Sequence, residues 1–132
     1  MITAEIIDEI AERVGTFEER QTTLKLDEIG LKQPGLFAYI VNEKETYLFS
    51  REEKAILYYL IIVIWEAVNQ ELDLPQRLGL KAIDEIQFEN WRAIEDLKHP
   101  QNQPLDDFFE PFIGTHPEAE LLYFVCDGLE EI

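Results

Sequence analysis

Serine occurs once in this chain, at Ser50, cysteine once, at Cys126, and histidine twice, at His99 and His116. With Ser50 placed in a helix-capping pattern and no Gly-x-Ser-x-Gly turn anywhere, a serine hydrolase has no nucleophile to use. One cysteine cannot close an internal disulfide, and there is no Cys-x-x-Cys pair for redox or zinc chemistry. Cys126 lies in Leu121-Leu122-Tyr123-Phe124-Val125-Cys126 and reads as a buried small hydrophobe. Two histidines exclude metal sites that need three, and the Glu-x-x-His motif of di-iron bundles does not occur. Glu95 and Asp96 precede His99 by four and three residues, on one helical face, but nothing completes a ligand set. Gly-x-Gly-x-x-Gly and phosphate-loop patterns are also missing. No cofactor or metal is implied.

Basic residues are scarce as well. Eleven Lys and Arg stand against 28 Asp and Glu, for a formal net charge of -17, and after Lys98 there is no basic residue at all. Nucleic-acid affinity comes largely from neutralising phosphates with basic side chains, so this balance argues against direct DNA or RNA binding. It argues equally against anionic membranes. The acidic end carries Asp106, Asp107, Glu110, Glu118, Glu120, Asp127, Glu130 and Glu131, a distribution that suits a partner with a basic patch. Self-repulsion at this charge is relieved by counterions, so the melting temperature should rise from low to moderate ionic strength.

What the chain does have is apolar side chains, 46% of 132 residues, enough for one sizeable core in one domain spanning residues 1–132. The densest stretch is the unbroken run from 55 to 65, AILYYLIIVIW, preceded by Ser50-Arg51-Glu52-Glu53. That flank is a capping box: the Ser50 hydroxyl takes the Glu53 amide while the Glu53 carboxylate reaches back. A central helix is expected over Arg51–Glu71, ended by the Leu74-Pro75 pair. The run is too short to span a bilayer, which takes about 20 residues. A helix apolar all round must be enclosed, by its neighbours or by a second subunit. Leaving a third of the run in water would cost about 5 to 10 kcal/mol.

Around this rod the pattern is helical. Residues 3–14 put Ile6, Ile7, Ile10 and Val14 on one face and Glu5, Asp8, Glu9 and Glu12 on the other. Gly15 reads as a left-handed C-terminal cap and Thr16-Phe17-Glu18-Glu19 as a second capping box. That box opens a peripheral helix to about Glu28, closed by Gly30. Pro34 suits the first turn of a short third helix; the alternative over 36–49 is a hairpin pairing residues 37–41 with 46–49. From Leu80, apolar residues at Ile83, Ile86, Trp91, Ile94 and Leu97 recur at helical spacing up to His99-Pro100. A proline-fenced loop over 100–104 precedes a short segment over 105–113. Thr115-His116-Pro117-Glu118 is a third capping box, with a last helix packed outside and reaching about Glu130. The expected fold is all-α, a bundle of six or seven helices around the apolar helix.

Two sets of residues stand out as candidate surfaces. The first is the acidic end, where Asp106, Asp107, Glu110, Glu118, Glu120, Glu130 and Glu131 would steer a basic protein. Asp106, Asp107 and Glu110 do not have calcium-loop spacing, and acids in a first helical turn already complement the helix dipole. The second is an aromatic-lined pocket for a small apolar ligand, built from Tyr58, Trp65, Trp91 and Phe108, with Glu66 following Ile64-Trp65 as a carboxylate suited to a raised pKa. The leading expectation is a non-enzymatic, cytoplasmic interaction module with a basic partner and room for a homodimer. The alternative is a bundle holding an apolar ligand, and a mimic of nucleic acid comes third. The cytoplasmic expectation rests on an N-terminus, Met1-Ile2-Thr3-Ala4-Glu5, with neither the basic nor the apolar region of a secretory signal.

Overall fold

The computed structural model describes residues 2–41, 48–71, 80–95, 110 and 113–130. Among these the fold is all-α, with six helices and no strand. They are α1 (Ala4–Gly15), α2 (Glu19–Lys32), α3 (Pro34–Ile40), α4 (Arg51–Glu71), α5 (Leu80–Glu95) and α6 (Ala119–Leu129). No helix among the described residues is long and apolar enough to cross a membrane.

The rod is α4, and its start is the box read from the sequence. The Ser50 amide donates to Glu53 Oε1 at 3.2 Å and the Glu53 amide donates to Ser50 Oγ at 3.1 Å. Helices α1, α2 and α6 pack against α4, and α6 also packs against α1. Leu60, Ile61, Ile62, Val63, Trp65 and Ala67 are buried along it. Enclosure is incomplete at the other end: Ala55 is exposed and Ile56, Leu57, Tyr58 and Tyr59 are only half-buried. Cover from the chain's own helices is therefore fuller over residues 60–67, where Ile64 alone of the apolar side chains is half-buried, than over 55–59.

The amphipathic face of α1 meets the rod through Ile7, Ile10 and Val14. Its first turn is capped by Thr3, whose Oγ1 accepts from the Ile6 amide at 3.3 Å. The α1–α2 corner differs from its sequence reading. Gly15 is the last helical residue and no described glycine has positive φ, so it is not a left-handed cap. Thr16 turns its hydroxyl back to donate to the Arg13 carbonyl at 2.7 Å, closing α1 rather than opening α2. Glu18 is the N-cap instead, and its amide donates to Gln21 Oε1 at 2.9 Å. At its far end α2 runs through Gly30 to Lys32. A glycine alone does not stop a helix whose next residues are Leu31 and Lys32, whereas Pro34 pushes the residue before it out of the α region. Gln33, with φ -134 and ψ 66, is that residue, and it is buried.

Residues 34–40 are helical, with the Val41 amide donating to the Phe37 carbonyl at 3.0 Å, which rules out pairing of 37–41 as a strand. α5 packs on α3. Of the expected apolar stripe Ile83 is buried and Ile86 is 48% exposed, and Phe88, outside that stripe, is 67% exposed. α6 begins at Ala119, later than expected, and the Glu118 amide before it donates to His116 Nδ1 at 3.0 Å. The Glu118 carboxylate is used elsewhere: its Oε2 accepts from the Ile2 amide at 2.8 Å, tying the start of the chain to the last helix. Where α6 crosses α4 the two helices approach closely at a glycine. A Cβ on Gly128 would lie 2.5 Å from Leu60 Cδ2. Cys126, on the same helix, is half-buried rather than enclosed. The loop over 100–104 and most of the segment over 105–113 lie outside the described residues.

Candidate functional site

Three features organise charge and apolar surface: an ion-pair knot, a pair of grooves beside α4, and the outer face of α1. The knot centres on Glu66, near the end of α4 and 21% exposed. Its Oε1 lies 2.9 Å from Lys25 Nζ on α2, and its Oε2 lies 3.2 Å from an Arg13 guanidinium nitrogen on α1. One carboxylate thus joins three helices. Lys25 also reaches Glu28 Oε2 at 2.9 Å, and Lys32 stands 3.6 Å from Glu28 Oε1. The hydrogen bond that Lys25 donates to Glu66 raises its ammonium above the ordinary 10.5, partly opposed by burial and assisted by Glu28. The Lys25 hydrogen bond holds the Glu28 carboxyl below its ordinary 4.5. The sequence suggests Glu66 as a carboxylate beside an apolar pocket. Clamped between two cations, it serves to tie helices together. No sequence signal pointed to this knot, because Arg13, Lys25 and Glu66 are distant in the chain and meet only through packing.

The first groove, about 690 Å³, lies between the α1–α2 corner and the first half of α4. Val14, Phe17, Leu26, Tyr58 and Ile62 supply its apolar lining, and Arg51 and Lys54 stand at the end nearest the α4 N-terminus. A second groove, about 410 Å³, runs along the other side of α4 between Ile56, Leu60, Phe124 and Asp127. Ala55 and Tyr59 line both, so they form the ridge between the grooves. Tyr59 is held there by a tilted contact with the Phe124 ring, centroids 6.2 Å apart, and by its hydroxyl, which donates to the Ala11 carbonyl at 3.2 Å.

Of the residues proposed from sequence for an apolar pocket, three are described and they take different places. Tyr58 lines the first groove, Trp65 belongs to the core, and Glu66 belongs to the knot. The Trp91 side chain and Phe108 lie outside the described residues. Of the acidic end, Glu110 accepts from the Tyr123 hydroxyl, which raises that phenol above its ordinary 10.0. Glu118 accepts from the Ile2 amide, Glu120 is half-buried on the first turn of α6, and Glu130 is exposed just after it. Asp106, Asp107 and Glu131 lie outside the described residues, as does His99. Among the described residues no group of three or more His, Cys, Asp or Glu is placed to hold a metal. On α1, Glu5, Asp8, Glu9 and Glu12 are all exposed.

Fold and surfaces together define an all-α protein whose described helices gather around one apolar helix. No protein-family model, curated protein or solved structure matches the chain.

Proposed function

We propose that this protein is a non-enzymatic interaction module that receives a basic protein partner on the outer face of α1. The observation that carries this reading is the stripe Glu5, Asp8, Glu9 and Glu12. These residues recur at i, i+3, i+4 and i+7 along one helix, all are exposed, and none makes an ion pair among the described residues. Like charges at these spacings repel one another, so the stripe costs α1 helical stability that a cationic partner would restore. The helix has one basic residue, Arg13, and Glu66 draws it away from the stripe. The acidic end anticipated from the sequence supports the reading less, since Glu110 and Glu118 already serve contacts inside the fold.

Charges at the rim of a docking face act mainly on the association rate and its salt dependence. The test is a pull-down from lysate of the source cell with three baits: the natural chain, the variant E5Q/D8N/E9Q/E12Q, and the variant E120Q/E130Q. A basic protein retained by the natural chain, released as salt rises and lost from the α1 variant supports the proposal. Equal retention by the α1 variant, or loss only from E120Q/E130Q, overturns it.

A further inference from the structure

The open end of α4 faces two grooves of unlike charge, the larger keeping an excess of cations although Glu19 also lines it. On one side, Arg51 and Lys54 border the larger groove; on the other, Asp127 borders the smaller one. Glu52 adds to the anionic side, because it precedes Ala55 and Ile56 by three and four residues and so shares their face. None of these four charged side chains makes an ion pair among the described residues. Between the two sides runs the ridge of Ala55 and Tyr59, with half-buried Ile56 and Tyr58 beside it.

We infer that a second copy of this chain covers this surface, related by a twofold axis roughly parallel to α4. The symmetry follows from the charges. A twofold lying in the interface and parallel to the helix preserves position along α4 and exchanges the two sides. Arg51 and Lys54 of each copy then face Glu52 and Asp127 of the other. A twofold perpendicular to α4 would set cations against cations. The contact is isologous, each copy offering the same patch, and the small Ala55 lets the two ridges approach. The pairing supplies the cover that the first half of the rod lacks within one chain. It is independent of a basic partner on α1, because it uses another face.

Global and local charge act in opposite directions here, which makes the pairing distinguishable from docking of a basic protein. Two bodies at -17 repel over a Debye length of about 30 Å at 0.01 M salt, and over only about 8 Å at 0.15 M. Dimerisation should therefore strengthen as salt rises across that range, whereas an oppositely charged partner would bind more weakly. The experiment is sedimentation velocity on the whole chain at both salt concentrations, with K54E and D127K measured separately and mixed, and helicity checked by circular dichroism. The expected result is a salt-promoted dimer, about tenfold weaker in each single variant because each charge contact occurs twice. Mixing K54E with D127K should restore it, since both contacts are then opposite in sign. A monomer at every salt and protein concentration, whether its grooves are empty or hold a co-purified apolar molecule, overturns the inference. So does a dimer unaffected by either variant.

Discussion

Along α4 the turn formed by Leu60, Ile61, Ile62 and Val63 is buried, while Ile56, Leu57, Tyr58 and Tyr59, one turn earlier and just as apolar, keep part of their surface in water. The two stretches have the same helical propensity and similar side-chain volume. They differ in neighbours. Helices α1, α2 and α6 all pack on α4, but the grooves beside it are lined by Ala55, Ile56, Tyr58 and Tyr59 of the earlier stretch and reach only Leu60 and Ile62 of the later one. Burial along this helix is thus decided by where other elements end.

The largest expected effect contrasts the two stretches directly. Ile62→Ala, at a side chain 1% exposed, should cost about 2 to 5 kcal/mol, because a cavity forms in a packed core. Leu57→Ala, half-buried, should cost about half as much. Urea unfolding of both variants reads the difference, and equal losses would mean that residues 55–59 are covered in solution. The boundary between the stretches is tested next at Gly128. Gly128→Ala forces a methyl group against Leu60 and should destabilise by about 1 to 3 kcal/mol through overpacking. Pairing it with Leu60→Ala should recover part of that loss relative to the sum of the single variants.

Glu66→Gln tests what anchors the covered end, with an expected loss of about 1 kcal/mol for a partly exposed ion-pair network. Its pH dependence has a definite sign. Lys25 has a raised folded pKa, so its contribution is present below 10.5 and lost as pH rises through the higher folded value. Glu28 has a lowered folded pKa, so its contribution is present above 4.5 and lost as pH falls through the lower folded value. Melting temperatures of the natural chain and Glu66→Gln should therefore converge in strong alkali. The smallest effect is at Gly15. With helical φ and no atom within 4 Å of an added Cβ, Gly15→Ala should stabilise by about 0.5 to 1 kcal/mol. A left-handed glycine there would make the same substitution destabilising, so thermal melting separates the two conformations of the corner.

The elements were largely legible in the sequence, and their junctions less so. Ser50 and Glu53 formed their predicted box, Pro34 opened a helix, and the rod spans Arg51–Glu71 as expected. These signals are local: each depends on residues within one turn of one another. Gly15, Thr16 and Gly30 misled because each has more than one role open to it: Thr16 closed α1 onto the Arg13 carbonyl, Glu18 took the cap of α2, and Pro34 rather than Gly30 stopped that helix. The candidate site was less legible still. Tyr58 does line a groove, but Trp65 packs inward and Glu66 pairs with cations from two other helices, and no spacing in the chain encodes such meetings.

The sequence by itself determined that this protein is helical, strongly acidic and organised around one apolar rod, because periodicity, capping chemistry and net charge are properties of the chain alone. Only the tertiary structure decided which half of the rod is covered and which carboxylate is neutralised. It also decided that opposite charges flank the uncovered ridge. Those outcomes depend on the relative placement of helices, where contacts between residues such as Arg13 and Glu66, 53 positions apart, replace local rules.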